Sequence, residues 1–157
     1  MPKIHITTFI NAPVELVFDL SRNITLLKKI LNNGKEQLLV DTSSVLIGKG
    51  ESVTLKAKHL GKLRMLTTKV VELEKPGMYQ ESQIKGDLKR FTHEHHFKKT
   101  ENGTIMIDVV DFEGPKDIIG SVAAPFFLKK YFETFLAKKN DLIRQYAESD
   151  KWRAIIG

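Results

Sequence analysis

Residues 88–112 read LKRFTHEHHFKKTENGTIMIDVVDF, and the alternation in this stretch decides the fold. Two runs of strand length, Leu88–Lys99 and Thr104–Phe112, are separated by Asn102-Gly103, the dipeptide most favourable to a two-residue hairpin turn. In the first run Phe91, His93, His95 and Phe97 share one parity. Arg90, Thr92, Glu94, His96 and Lys98 share the other. Successive strand side chains point to opposite faces, so the aromatic and imidazole set faces a core while the charged set faces solvent. A short spacer between such runs implies antiparallel pairing.

Working outward, strand-length runs recur around Leu38–Val40, Glu51–Lys58, Met65–Glu74 and Tyr79–Lys85. Gly48, Gly50, Gly61, Pro76-Gly77 and Gly86-Asp87 punctuate them. Lys3–Ile10, rich in Thr and Ile, reads as a first strand. Asn11 is placed to cap a helix, with Pro13 in its first turn and Val14, Val17 and Phe18 on one face. A second short helix is expected over Ile24–Leu31, stopped by Asn32-Asn33-Gly34. Gly114-Pro115 ends the strands. From Asp117 to Glu148 the pattern is helical: Leu128, Phe132, Phe135, Leu136, Leu142, Ile143 and Tyr146 form one stripe, with Lys129, Lys130, Lys138 and Asn140 off it. Pro125 is expected to kink or divide this segment. An antiparallel sheet of about six strands must cover one face, and the long amphipathic helix is the element able to do so. A curved sheet gripping a helix leaves a space suited to a ligand.

The chain has 157 residues and a mass of 17.9 kDa, which is expected to form one domain over residues 1–157. It has no cysteine, which excludes thiol nucleophiles, thiolate metal sites and disulfides. No apolar run approaches the ~18 residues of a membrane span, and no signal pattern opens the chain. A cytoplasmic protein without integral membrane association is expected. The net charge is +6, concentrated in residues 49–99, which carry 12 basic and 6 acidic residues. Strand parity puts most of those lysines on an outer sheet face, where lysine guards against edge pairing. Nucleic acid is not the expected partner: the aromatics share the inward parity, and the first 99 residues hold only Arg22, Arg64 and Arg90.

Chemistry, if any, resides in His93 and His95. Two inward imidazoles beside Phe91 and Phe97 could orient a polar ligand head, move a proton, or remain hydrogen-bonded residues without chemistry. A metal would need a third ligand from His59, Glu81 or Asp108; the reading adopted is no metal and no cofactor. Parity does not place Glu81, because its run alternates poorly. Nor does it place Asp108, whose strand carries Met106, Val110 and Phe112 on one parity and Ile105, Ile107 and Val109 on the other. That doubly apolar strand is either covered twice, by a partner subunit for instance, or tolerated surface. An inward carboxylate would need a partner, and the histidines are the obvious ones. No serine sits in a nucleophile elbow, and Gly48-Lys49-Gly50 is no phosphate or dinucleotide motif.

In order and spacing the chain resembles the SRPBCC group of the START-like ligand-binding superfamily, the polyketide cyclase/dehydrase-like proteins. The resemblance rests on Ile10-Asn11-Ala12-Pro13-x-Glu15-x-x-Phe18-Asp19-Leu20-Ser21, Gly50-Glu51-x-Val53-Thr54, Lys58-His59-x-Gly61, Lys85-Gly86-x-Leu88-Lys89-x-Phe91, His93-Glu94-His95-x-Phe97, Gly103-Thr104-x-Met106-x-Asp108 and Leu128-Lys129-Lys130-Tyr131. It implies an α+β helix-grip fold: a curved antiparallel sheet wrapped around a long C-terminal helix, with two short helices after the first strand. It also implies a cavity holding a hydrophobic or amphipathic small molecule, lipid- or polyketide-like. His59, Glu81, His93, His95 and Asp108 are its carried-over cavity positions. Leu55, Leu60 and Leu27 stand where close relatives often have Trp, Phe and His, which implies a larger or less polar pocket.

The expected function is ligand binding, with the ligand body held by Val53, Leu55, Phe91, Phe97, Met106, Phe132 and Phe135, its polar end fixed by His93 and His95, and His59, Glu81 and Asp108 counted with them as ligand-binding positions. Two alternatives stand beside it. One is a cyclase or dehydratase using His93 and His95 as acid and base. The other is a non-catalytic interaction or chaperone-like module. A monomer or weak homodimer is expected.

Overall fold

The structure is a computed structural model that describes residues 3–31, 36–41, 44–115, 117 and 123–156. Seven strands, β1 (Lys3–Ile10), β2 (Glu36–Asp41), β3 (Ser52–His59), β4 (Lys62–Glu74), β5 (Met78–Gly86), β6 (Leu88–Thr100) and β7 (Gly103–Pro115), form one antiparallel sheet in the order β1-β7-β6-β5-β4-β3-β2. Two helices, α1 (Val14–Ser21) and α2 (Ile24–Lys29), follow β1, and α3 (Ala123–Ala147) follows the sheet. A short 3₁₀ turn, Lys151–Ala154, closes the described chain. Register shifts at Thr67/Thr68 and Val70/Glu72 bend β4 against β5, and such irregularities curl a sheet into the half-barrel seen here. The concave face grips α3.

The expected elements are present, with local corrections. Asn11 does not cap α1. Pro13 occupies the cap position without a side-chain hydrogen bond, and the Asn11 N–H instead donates to the Glu148 carboxylate at 2.8 Å. The side-chain cap belongs to α2, where Asn23 accepts from the Leu26 N–H. The hairpin between β6 and β7 turns on Glu101 and Asn102, because Thr100 pairs with Gly103. Pro125 lies in the first turn of α3, where a missing N–H loses no hydrogen bond, and α3 continues through it. Asn140 is buried, not off the stripe.

Gly103 is required for a steric reason. Its φ is +157°, and a Cβ there would meet the Ile10 carbonyl oxygen at 2.4 Å. Gly103→Ala should therefore push β7 off β1 and cost about 1–3 kcal/mol. A urea midpoint equal to that of the unmutated chain would refute the close approach.

Two apolar clusters fill the interior. One gathers Ile10, Val17, Phe18, Tyr79, Phe97, Met106 and Ile143 under the two short helices. The other gathers Ile4, Phe91, Val110, Phe112, Phe132 and Leu136 toward the start of α3. Each apolar side chain buried this way is worth ~1.5–3 kcal/mol. The second apolar parity of β7, Ile105, Ile107 and Val109, is half-exposed on the outer sheet face. No described helix is long and apolar enough to cross a membrane.

Candidate functional site

A polar belt separates the two clusters. It runs at one level through β4, β5, β6, β7, α3 and β1. Thr68 Oγ1 donates to Glu81 Oε1 at 3.1 Å, and Glu81 Oε2 accepts from His95 Nε2 at 2.7 Å. On the other side, His93 Nε2 donates to Asp108 Oδ1 at 2.7 Å. Asn140 Nδ2 on α3 donates to Asp108 Oδ2 at 2.9 Å and to Thr8 Oγ1 at 3.3 Å.

Register explains the crossed pairing. Glu81 lies opposite His93 and Asp108 opposite His95, yet each carboxylate bonds the diagonal imidazole, within reach on one sheet face. The rings of His93 and His95 stack with centroids 3.6 Å apart, and Tyr79 stacks on the far side of His95 at 3.9 Å. The Tyr79 hydroxyl is held against Ser21, 2.7 Å from its Oγ and 3.1 Å from its carbonyl oxygen. Burial pushes the Tyr79 phenol well above its ordinary range, so it stays neutral.

The electrostatics follow from this wiring. Burial raises the Glu81 pKa, but hydrogen bonding to His95 and the nearby His95, His93 and Lys139 outweigh it and hold the carboxyl at about 2. Asp108 is likewise held well below its ordinary value: burial opposes ionisation and the two histidines outweigh it. Burial, followed by the neighbouring His95, lowers His93 to about 4, against the opposing pull of Asp108 and Glu81. His93 is therefore neutral at pH 7. A carboxylate only accepts, so the His93 proton sits on Nε2 and Nδ1 is left as the acceptor, 4.0 Å from Glu81 Oε2. His95 Nδ1 is buried without a hydrogen bond, 3.4 Å from Asp108 Oδ1.

Glu81, His93 and His95 bring one potential metal-ligand atom each to within 4.8 Å of one another. His95 Nε2 and Glu81 Oε2 already share a hydrogen bond at 2.7 Å, and the two imidazoles stack at 3.6 Å. The belt is a hydrogen-bonded network.

Part of the belt opens on a cavity of about 90 Å³ between the sheet and α3. Of the site residues expected from sequence, Val53, Leu55, Glu81, Phe91, His93, Phe132 and Phe135 line it. His95, Phe97, Met106 and Asp108 are inward and buried but stand behind the wall. The His59 side chain lies outside the described residues. Leu27, marked by the resemblance as a position that shapes the pocket, is on the wall; sequence reasoning missed Leu38, Leu66, Thr68, Leu136 and Lys139 there, and Asn140 behind it. Lys139 and Asn140 fall in the apolar stripe between Leu136 and Ile143, and that interruption at helical spacing is the signal that finds them.

No protein-family model matches the sequence, and no curated protein matches it either. Solved structures do. TTHA0849 from Thermus thermophilus superposes with a TM-score of 0.72 at 20% identity, covering 90% of this chain and 97% of that one. The chain has a helix-grip fold. The ZhuI aromatase/cyclase from Streptomyces sp. R1128 shares it at a TM-score of 0.69 and 14% identity, over 94% of this chain and 93% of that one. Major latex-like protein 151 from Panax ginseng shares it at 0.64 and 12%, over 93% and 97%. The helix-grip architecture is thus the one implied by the sequence resemblance to SRPBCC proteins, across nearly the whole chain.

Proposed function

We propose that this protein binds one small amphipathic molecule in the cavity between the sheet and α3. The observation that carries the reading is the composition of the wall. It is leucine, valine and phenylalanine except for Thr68, Glu81, His93 and Lys139. Thr68 bonds Glu81, and Glu81 stands 4.0 Å from His93. An apolar chamber with a few convergent polar groups is the usual form of a small-molecule site. Burying ~200 Å² of apolar ligand surface favours binding by about 5 kcal/mol before entropy losses. The cavity is smaller than the ~150 Å³ that encloses benzene in a dry protein core. A longer body must therefore displace Leu27, Leu38, Leu55, Leu66 or Phe135, the half-buried apolar members of the wall.

Binding is favoured over catalysis by the state of His93. A general base works best with a pKa near the operating pH, and His93 titrates at about 4. The aromatase/cyclase neighbour shares the fold and lends the catalytic alternative a precedent.

Filling the chamber tests the reading. Leu66→Trp places an indole where the wall now leaves space. It should abolish binding of straight-chain C4–C10 alcohols, followed by calorimetry, while leaving the circular-dichroism spectrum intact. Alcohol affinity undiminished in this variant would place the binding elsewhere and overturn the proposal.

A further inference from the structure

Lys139 is 7% exposed, sits in the middle of α3 and forms part of the cavity wall. Among the described residues no carboxylate lies within salt-bridge distance of it and no hydrogen bond engages its side chain. Buried ammonium groups are normally paired, because an unpaired charge away from water is strongly unfavourable. The nearest counter-charge in effect is Glu81, whose carboxyl is held down in part by Lys139. Glu81 does not take it as a partner: one of its oxygens accepts from Thr68 and the other from His95. Asp108 is closed in the same way by His93 and Asn140. Among the described residues, both buried carboxylates of the belt are thus satisfied by other groups, and Lys139 is left over, facing the chamber.

We propose that Lys139 is an anion anchor, so that the ligand of this cavity is an amphipathic organic acid whose carboxylate pairs with Lys139 while its apolar end lies against Phe91, Phe132 and Leu66. The inference rests on the cavity-binding reading above and adds the charge of the ligand to it. A singly charged head fits the surroundings. One ammonium is available, His93 is neutral, and Glu81 nearby opposes a second negative charge. A phosphate monoester would bring nearly two charges against that single cation. With the carboxylate on Lys139, the free Nδ1 of His93 accepts a hydrogen bond from a ligand hydroxyl where the ligand has one.

The test pairs straight-chain carboxylates with alcohols of equal length, C4 to C10, titrated calorimetrically near neutral pH into the unmutated chain, Lys139→Met and Lys139→Arg. Charge-assisted hydrogen bonds exceed neutral ones by enough to predict about a tenfold preference for the acids in the unmutated chain. Lys139→Met should erase that preference, read as the ratio of acid to alcohol affinity at equal chain length, and Lys139→Arg should keep it. Alcohols bound as tightly as acids, or a preference that survives Lys139→Met, would overturn the anchor and leave the cavity reading standing. If no acid or alcohol binds at all, the cavity reading fails and takes the anchor with it.

Discussion

Asp108→Ala is expected to lower the stability of the folded chain by about 3–5 kcal/mol, a drop in melting temperature of about 6–20 °C for a domain of this size. Asp108 is 2% exposed and lies between the two apolar clusters. Its oxygens accept from His93 at 2.7 Å and from Asn140 at 2.9 Å. Alanine would leave the His93 Nε2–H and one Asn140 N–H buried without acceptors, and each orphaned donor carries the desolvation loss of about 1–3 kcal/mol. His95 Nδ1 would also lose its carboxylate neighbour, Asp108 Oδ1 at 3.4 Å. Asp108→Asn separates hydrogen bonding from charge. Its amide oxygen still accepts from one donor, so the loss should be roughly half that of alanine. Equal losses for the two variants would show that the charge alone matters, and a loss below ~1 kcal/mol for alanine would mean that the belt does not hold β7 to α3.

The inward face of β6 was legible because its outward parity is charged. Arg90, Glu94 and Lys98 oppose Phe91, His93, His95 and Phe97, and only one register buries the second set. The carboxylates were not legible from their own strands. Both parities of β5 are largely polar and both parities of β7 are apolar, so neither strand declares a face. What places Glu81 and Asp108 is the pairing of β5 and β7 with β6, which sets Glu81 opposite His93 and Asp108 opposite His95. That information lies in long-range register, and a local window does not contain it. The requirement that a buried acid find a partner did anticipate the histidines, and the structure brings all four groups together. Lys139 and Asn140 were passed over for the opposite reason. An apolar stripe is drawn through apolar residues, and these two sit in it as polar exceptions, one satisfying Asp108 and the other facing the cavity. In this chain the exceptions to the hydrophobic pattern carry more of the site than the pattern does.

Stability is expected to fall as pH is lowered from about 6.5, well before the ordinary carboxylate range is reached. Three buried groups give the sign. His93 is held at about 4 in the fold against an ordinary 6.5. The unfolded chain therefore takes up that proton first, and protonation favours unfolding between pH 6.5 and 4. A difference of about 2.5 pH units corresponds to about 3 kcal/mol at the low end of that window. Glu81, held at about 2 against 4.5, adds stability that is complete above pH 4.5 and is lost as pH falls toward 2. Asp108 acts in the same direction below its ordinary 3.8. The windows adjoin, so the melting temperature should decline continuously from pH 6.5 downward, by about 6–12 °C by pH 4 from His93 alone. His93→Gln keeps an N–H toward Asp108 but does not titrate, so it should flatten the segment between pH 6.5 and 4.5 and leave the decline below pH 4.5 in place. A slope unchanged in His93→Gln would assign the proton to another group. A decline that begins only below pH 4.5 in the unmutated chain would mean that His93 is not held neutral in the fold, and would restore it as a candidate base for a bound substrate.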